Sequence, residues 1–301
     1  MWIRAFGFDT DGVIVAADEL HFNAFNAVLK KTGLPEIERD KYYSKYLASD
    51  DKNFFLEYIS SVRQAKPEYS ELGRLVSEKA EIVERMMTES PPKFYLGVIE
   101  SIKKLKEYGI RLFDVTGSLR QEAASHFKRG GIEDCFEFTI ASEDVIKSKP
   151  DPEPYLKALE RLNRTGEVEP GDCVVTEDSC EGILSAKNAG FYTIGVTNTR
   201  EAKELWDAGA YIVVDKVNVR LYERLLQIRN RPHSRLDLIS SLSMDPILSH
   251  QLYIDKSDET FIKNLNEFTK KKKSIARSFF LALDDILDVL AKEDRPIKLK
   301  R

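Results

Sequence analysis

The chain has 301 residues, of which 42% are hydrophobic and 32% are charged, and its net charge at pH 7 is −4. This length predicts about two domains, and the composition is typical of a globular protein. The slightly negative net charge gives no indication of nucleic-acid binding. No apolar run reaches the roughly 18 residues of a membrane span, and the N-terminus lacks the hydrophobic stretch of a signal peptide. We therefore expect no nucleic-acid partner, no membrane span and a cytoplasmic location.

Short apolar runs that end in polar or glycine-rich residues recur along the chain and are typical of buried strands. They are, in chain order, Ile3–Phe8, Ile110–Val115, Phe136–Ile140, Cys173–Thr176, Tyr192–Val196 and Tyr211–Val214. Helical patterns lie between the later runs, for example Leu119–Lys128, Glu153–Leu162 and Glu181–Ala189. This alternation predicts an α/β fold, with a doubly wound parallel sheet covered by helices on both faces.

The long segment between the first two predicted strands shows helical spacing and no clear strand. Its helical patterns are His21–Lys31, Glu38–Tyr46, Lys52–Gln64 and Glu68–Thr88. We expect residues 16–91 to form a helical cap, inserted into a catalytic core made of residues 1–15 and 92–228. An insert that leaves the carboxyl end of a strand would lie over the crevice where doubly wound sheets bind ligands.

Residues 229–301 form a third part, in which the strand pattern stops. The segment is polar and helical, with a lysine run at Lys270–Lys273 and an amphipathic stretch at Ser274–Leu290. Such a helix could bind a protein partner or an anionic membrane surface. A helix packed on the protein's own core is the favoured interpretation. We expect a helical C-terminal extension.

The first two predicted strands each end in residues that suit phosphate chemistry. Asp9 and Asp11 follow the first strand, and Gly12 permits a sharp turn there. On their own they would fit an ordinary Asx-type turn equally well. After the second strand, Thr116 offers a hydroxyl and Gly117 an unobstructed N–H at the start of a helix. That pattern suits an anion, although a simple helix N-cap is the alternative.

A lysine and a second acidic pair follow the later strands. Lys149 precedes two prolines that stiffen its loop, and a fixed ammonium suits a phosphate, although most lysines are simply solvated. Glu177 and Asp178 repel each other unless a cation lies between them, and carboxylate oxygens suit Mg²⁺. Capping of the next helix by Asp178 or Ser179 is the alternative. All four sites fall at the carboxyl ends of strands, which is where such sheets assemble active sites.

These stretches resemble the motifs of the haloacid dehalogenase superfamily, in the branch with a helical cap that contains β-phosphoglucomutase and CbbY-like phosphatases. The similar motifs are DTDGV, VTGS, SKPDPEPY and TEDSCEGILSAKNAGF, and the resemblance covers about residues 3–215. It implies a Mg²⁺-dependent phosphatase that hydrolyses a small phosphorylated metabolite, such as a sugar phosphate, through an aspartyl-phosphate. A phosphomutase is the first alternative, and a non-catalytic protein that binds partners through its C-terminal helices is a distant one.

The resemblance also implies chemical roles. Asp9 would be the nucleophile, and Asp11 would protonate the leaving alcohol and then deprotonate the attacking water. Mg²⁺ would be held by Asp9, the backbone carbonyl of Asp11, Glu177 and Asp178. The remaining phosphoryl oxygens would be bound by Thr116, Gly117 and Lys149.

Two features of the cap bear on substrate binding. His21 lies twelve residues beyond Asp9, in an HFNAF stretch similar to one in the family's mutases and some of its phosphatases. The resemblance implies that His21 senses or assists the proton transfer by Asp11 when the cap closes. A structural histidine at a helix start is the alternative. β-Phosphoglucomutases grip their second phosphate with a cap arginine, but Asp50 and Asp51 stand near that place here, which weakens the mutase alternative. Lys52 could bind the substrate instead, or could simply be an exposed lysine.

Overall fold

The computed structural model describes residues 2–47, 49–228, 238–239, 241–242, 245, 248 and 251–253. Within these residues one sheet runs through the centre of the molecule. Its strands are β1 (Ala5–Phe8), β2 (Arg111–Val115), β3 (Phe138–Ile140), β4 (Cys173–Glu177), β5 (Tyr192–Val196), β6 (Ile212–Val214) and β7 (Leu252–Tyr253). Their order across the sheet is β3-β2-β1-β4-β5-β6-β7.

Helices fill the connections between the strands. Between β1 and β2 lie α1 (Asp18–Lys31), α2 (Arg39–Lys41), α3 (Asp51–Arg63), α4 (Tyr69–Glu89) and α5 (Val98–Glu107), and a π-helical turn at Tyr42–Tyr46 follows α2. The later helices are α6 (Arg120–Gly130), α7 (Glu153–Asn163), α8 (Cys180–Asn188), α9 (Ala202–Ala208) and α10 (Val219–Gln227). None of the helices within the described ranges is long and apolar enough to cross a membrane.

The six predicted strands are all present, with ends shifted by at most two residues, and they pair in parallel. The α/β prediction is therefore confirmed. β1 lies between β2 and β4, so its side chains are buried on both faces. Phe6 and Phe8 pack against Tyr222 of α10 on one face, whereas Ala5 faces a cluster on the other that includes Tyr155 of α7. Burial on both faces explains why the strands are almost continuously apolar.

Helices α1 to α4, here called the helical insert, have a hydrophobic core of their own. Their buried residues run from Leu20 to Met87 and form one cluster, separate from the clusters on the two faces of the sheet. An aromatic group fills its centre, and the Phe25 and Phe54 rings lie 3.8 Å apart between centroids. The insert begins just after Val15, which forms an isolated β-bridge with Phe94. The cap boundaries at residues 16 and 91 stay a prediction.

The expectation that the sheet ends before residue 229 is wrong. β7 pairs antiparallel with β6 and adds an edge strand. A strand of two residues is too short to show alternation in the sequence. The main core also includes buried residues from this region, which are Leu238, Ile239, Leu242 and Leu248. The lysine run at 270–273 and the stretch 274–290 lie outside the described residues.

Candidate active site

Asp9 lies at the carboxyl end of the central strand, next to the lysine expected to accompany it. Its backbone N–H donates to the Thr176 carbonyl on β4 at 3.0 Å, which continues the sheet by one residue. Lys149 Nζ lies 2.9 Å from Asp9 Oδ1 and donates to the Val115 carbonyl at 2.9 Å. Both side chains are 10% exposed. The ammonium therefore occupies one fixed position beside the Asp9 carboxylate.

Glu177 and Asp178 join Asp9 in one buried acidic group. Each of the three carboxylates offers an oxygen, and these oxygens lie within 4.8 Å of one another. Lys149 Nζ lies 2.7 Å from Glu177 Oε1, and the Tyr155 hydroxyl donates to the same oxygen. Glu177 Oε2 is buried without a hydrogen-bond partner among the described residues. One oxygen of Glu177 is thus held in place, and the other has no partner among the described residues.

Two glycines provide the space for these carboxylates. Gly12 has a φ of +80°, and a Cβ there would lie 1.9 Å from Asp178 Oδ2. A Cβ on Gly182 would lie 2.0 Å from Glu177 Oε2. Ser179 caps α8 by accepting a hydrogen bond from the Gly182 N–H at 3.0 Å, so Asp178 is not needed as a cap. Capping at the start of α8 therefore does not explain the acidic pair.

The charges of this group fit a divalent cation. Burial raises the pKa of Asp9 well above its usual value; Lys149 lowers it, while Glu177 and Asp178 raise it further. Burial likewise raises the pKa of Asp178, against a hydrogen bond from Thr199. A bound cation would offset this desolvation and repulsion. Buried carboxylate oxygens in a compact group are the donors that Mg²⁺ prefers, so the residues present fit the metal.

Asp11 lies beside His21 and Ser118 rather than in the acidic group. The Ser118 hydroxyl donates to Asp11 Oδ2, and His21 Nε2 lies 3.4 Å from the same oxygen. Burial alone would raise the pKa of Asp11, but His21 and Ser118 outweigh it and the pKa is lowered. Burial and Lys79 lower the pKa of His21, yet Asp11 raises it overall. The pair therefore favours an ionised Asp11 and a protonated His21.

Thr116 and Gly117 occupy the loop between β2 and α6. The Ser118 N–H donates to Thr116 Oγ1 at 3.0 Å, and the Thr116 N–H donates to the Ile140 carbonyl at 2.9 Å. Gly117 and Ser118 line the cavity at Asp9, whereas Thr116 is buried and is not among the lining residues. The loop therefore brings the expected phosphate-binding residues to the same edge of the sheet as Asp9.

A cavity of about 70 Å³ lies where these groups meet. It is lined by six of the residues expected at the site and by further side chains of the helical insert. The six are Asp9, Asp11, His21, Gly117, Lys149 and Asp178, and the insert, which carries His21, also contributes Asp18, Phe25, Tyr42 and Asp51 among others. The insert thus covers the carboxyl edge of the sheet at this point.

Lys52 is not brought into this cavity. It lies exposed on α3, with Nζ 3.3 Å from the Tyr69 hydroxyl and 4.6 Å from the centre of its ring. The neighbouring Asp50 and Asp51, which the sequence placed where a second phosphate would bind, both have partners of their own. Asp50 caps α3 through the Asn53 N–H, and Asp51 is neutralised by Lys79 Nζ at 2.9 Å. Asp51 therefore repels a second phosphate less strongly than the sequence indicated.

Four residues at or near the site were not predicted. Ser118 is the last residue of the VTGS motif, and its position next to Thr116 and Gly117 was the only sign in the sequence that it belongs to the site. Asp18 has a pKa raised to about 6, by burial first and then by Asp11. Tyr155 orients Glu177 from below the sheet edge. Lys79 interrupts the apolar face of α4 between Leu75 and Ile82, and that interruption was a detectable signal.

Comparison with known proteins agrees with this geometry. A family model described as haloacid dehalogenase-like hydrolase matches residues 7–196. The "Phosphorylated carbohydrates phosphatase" of Thermotoga maritima is 31% identical over 69% of this chain and 92% of its own length. The β-phosphoglucomutase of Bacillus subtilis is 28% identical over 64% of this chain and 83% of its own. A crystal structure of CbbY from Rhodobacter sphaeroides with phosphate superposes with a TM-score of 0.60 at 28% identity, covering 71% of this chain and 94% of that one.

The fold and the site define a hydrolase with a doubly wound α/β core and a helical insert over its acidic centre. The chain belongs to the haloacid dehalogenase-like hydrolase family, in the branch that contains β-phosphoglucomutase and CbbY. It is an enzyme of the phosphatase type. The family assignment made from the four motifs is therefore confirmed.

Proposed function

We propose that the protein is a Mg²⁺-dependent phosphatase that hydrolyses a small sugar phosphate through an aspartyl-phosphate at Asp9. The observation that carries the proposal is the position of Asp9 at the end of the central strand, where its carboxylate contacts Lys149 and forms one buried group with Glu177 and Asp178. The names of the similar proteins, a phosphatase of phosphorylated carbohydrates among them, support the substrate class. Three free cysteines, two of them buried, support a reducing cytoplasmic location.

The reaction has two displacements on phosphorus. In the first, an Asp9 oxygen forms a bond to phosphorus while the bond from phosphorus to the leaving oxygen breaks, and Asp11 gives that oxygen a proton. In the second, water attacks the aspartyl-phosphate, Asp11 takes its proton, and the bond from Asp9 to phosphorus breaks. Phosphate and the alcohol are released, and Asp9 returns to its starting state.

The residues around Asp9 lower the barrier by offsetting negative charge. The Asp9 carboxylate and the phosphoryl group are both negatively charged. Two unit charges of the same sign 4 Å apart repel by about 4 kcal/mol at an effective dielectric constant of 20, and the site must offset this repulsion. Lys149 supplies one positive charge, and the Thr116 hydroxyl and the Gly117 N–H would donate hydrogen bonds to the phosphoryl oxygens. Mg²⁺ held by Asp9, Glu177, Asp178 and the Asp11 carbonyl would supply further charge neutralisation.

His21 supplies the proton that Asp11 needs. Asp11 must be protonated to act as an acid, yet its pKa is lowered while that of His21 is raised. The proton of the pair is therefore held on His21, 3.4 Å from Asp11 Oδ2. We infer that it moves to Asp11 as charge develops on the leaving oxygen. His21 belongs to α1, so this step needs the helical insert in its closed position.

The test is a phosphate-release assay over a panel of sugar phosphates, with Mg²⁺ and after chelation by EDTA. Release should stop with EDTA and return with Mg²⁺. Asp9→Asn should reduce release to below about one thousandth of the wild-type rate, because it removes the nucleophile. Asp134→Asn, the same change on an exposed loop, is the matched control and should keep full activity. Full activity in Asp9→Asn, or an unchanged rate after thorough chelation, would contradict the proposal.

A phosphomutase remains the second candidate, because the β-phosphoglucomutase of Bacillus subtilis is 28% identical to the chain. The two functions share the residues of the site and differ in the acceptor of the phosphoryl group. Incubation with a hexose 1-phosphate and a trace of hexose bisphosphate separates them. Free phosphate is the expected product, and conversion to the 6-phosphate at a higher rate would favour the mutase. The binding-protein alternative depends on residues outside the described part of the chain.

A further inference from the structure

A second cavity, of about 330 Å³, adjoins the one at Asp9. Asp51 lines both cavities, and Leu119 and Ser148 of the second are chain neighbours of Ser118 and Lys149 of the first. The first cavity, with about 70 Å³, has room for little more than a phosphoryl group. Small-molecule pockets typically measure roughly 300–1,000 Å³. The second cavity is therefore large enough for the part of a substrate that extends beyond its phosphate.

Gly73 opens one wall of this cavity. It lies in the interior of α4, where its backbone is helical and a Cβ would meet no atom within 4 Å. Glycine is among the least favourable residues in the interior of a helix. Neither an unusual φ angle nor a close neighbour requires it at this position. Its missing side chain leaves open space on the cavity wall, which is the feature expected where a ligand approaches a helix backbone.

The rim of the cavity combines exposed apolar surface with uncharged polar groups. Tyr69 at the start of α4 is 75% exposed, and Ile146, in the loop before α7, is 91% exposed. Large exposed apolar side chains grouped at a cavity are typical of ligand contacts. Asn53 and Ser148 also line the cavity, and Asn53 Nδ2 donates to Ser148 Oγ at 2.9 Å across the boundary of insert and core. This surface suits a molecule with both C–H faces and hydroxyl groups.

The charges around the cavity disfavour a second phosphate. Among the described residues, its lining contains three acids and one lysine, which are Asp50, Asp51, Glu143 and Lys52. Lys79 pairs with Asp51 from behind the wall. With Asp51 paired to Lys79, Asp50 and Glu143 against Lys52 leave a net negative charge around the cavity. Like charges in one binding site reduce affinity and so exclude anionic ligands.

We propose that this cavity binds the leaving group of the substrate, that Gly73 limits the size of that group, and that the group is a hydroxylated carbon skeleton of about sugar size without a second phosphate. The proposal rests on the proposed function, because it takes the phosphoryl group to lie at Asp9. Gly73 is a specificity-determining residue and not a catalytic one.

Four variants of the full chain test the proposal with three substrates. Gly73→Ala and Gly73→Leu reduce the cavity, Gly73→Lys adds a cation to it, and Glu81→Leu adds the same bulk on an exposed part of α4 about 12 Å further along the helix. The substrates are ethyl phosphate, glucose 6-phosphate and glucose 1,6-bisphosphate. The readout is the ratio of kcat/KM values between two substrates, which a general loss of folded protein does not change.

Gly73→Leu should lower the ratio of glucose 6-phosphate to ethyl phosphate at least tenfold, and Gly73→Ala should lower it less. Gly73→Lys should raise the ratio of the bisphosphate to glucose 6-phosphate at least tenfold. Glu81→Leu should keep both ratios within twofold of the wild type. Ratios within twofold of the wild type in both Gly73→Leu and Gly73→Lys would overturn the proposal.

A binding measurement separates this proposal from the proposed function. Glucose 6-phosphate is titrated calorimetrically, with Mg²⁺ present, into Asp9→Asn and into Asp9→Asn with Gly73→Leu. Binding at least tenfold weaker in the double variant supports the cavity proposal, even if the wild type releases no phosphate and the proposed function fails. Equal affinities, or no binding to either protein, contradict the cavity proposal.

Discussion

Lys79 of α4 and Glu122 of α6 form an ion pair between the helical insert and the sheet domain. Lys79 Nζ lies 3.3 Å from Glu122 Oε1, and the two side chains are 0% and 4% exposed. Asp51 of α3 pairs with the same ammonium at 2.9 Å. Burial lowers the pKa of Lys79, but Asp51 and Glu122 outweigh it, so the pKa is raised. One buried cation therefore holds two helices of the insert and one helix of the sheet domain together.

Lys79→Met is expected to destabilise the protein by about 3–5 kcal/mol, because it leaves two buried carboxylates without their cation. The free energy of unfolding in urea measures the loss. A triple variant that also carries Asp51→Asn and Glu122→Gln should regain most of it, since no buried charge is then unpaired. A Lys79→Met protein within about 1 kcal/mol of the wild type would show that the ion pair contributes little.

Mg²⁺ should raise the melting temperature of the wild type, because a cation that binds only the folded state stabilises it. The gain is about 2.7 kcal/mol when the free ion is at 100 times its dissociation constant. Asp178→Asn should be more stable than the wild type in EDTA, since one buried charge is removed from the group with Asp9 and Glu177. The same variant should lose most of the Mg²⁺ effect. An equal Mg²⁺ shift in both proteins would exclude Asp178 as a ligand.

His126 should make the protein less stable in mild acid. Its side chain is buried on α6, and burial lowers its pKa to about 4, from a usual value near 6.5. Between these pH values the unfolded chain binds more protons than the folded one, so stability falls as the pH falls. Two and a half pKa units correspond to about 3 kcal/mol.

The matched comparison is His126→Gln, measured by urea unfolding at pH 7 and at pH 4. The wild type should lose about 3 kcal/mol more than the variant between the two pH values, because the other titrating groups are common to both proteins. Equal losses would mean that the imidazole of His126 takes up its proton in the folded state without a penalty.

The region after residue 228 should contribute to stability through its buried side chains. Leu242 is fully buried in the main core, so Leu242→Ala should cost about 2–5 kcal/mol. Leu96→Ala is the control, because Leu96 is 83% exposed and its truncation should cost less than about 0.5 kcal/mol. Thermal unfolding of the two variants checks the difference. Equal melting temperatures would indicate that this region is not part of the cooperative unit.

The strands and the polar residues at their ends could be predicted because each signal is local. An apolar run of about five residues marks a buried strand, and parallel strands bring their carboxyl ends to one edge. Asp9, Lys149 and Asp178 meet for that reason, although 169 residues separate the first from the last.

Features that depend on distant partners could not be predicted. Asp51 and Glu122 are ordinary charged residues of a helix in the sequence, and Lys79 is marked only by its place on the apolar face of α4. The packing of insert against core brings the three together. The role of Lys52 was left open for the same reason. The sequence placed it near the site, but the turn of α3 directs it towards Tyr69. β7 was missed because its two residues carry no periodic pattern.

The central place of β1 has a consequence for synthesis of the chain on the ribosome. β1 is made first, yet one of its neighbours, β4, begins only at Cys173. Until that segment emerges, one edge of β1 has no strand to pair with, and Asp9 lacks Glu177 and Asp178. A nascent chain can therefore fold its helical insert early but cannot complete the reactive centre until more than half of its length has been translated.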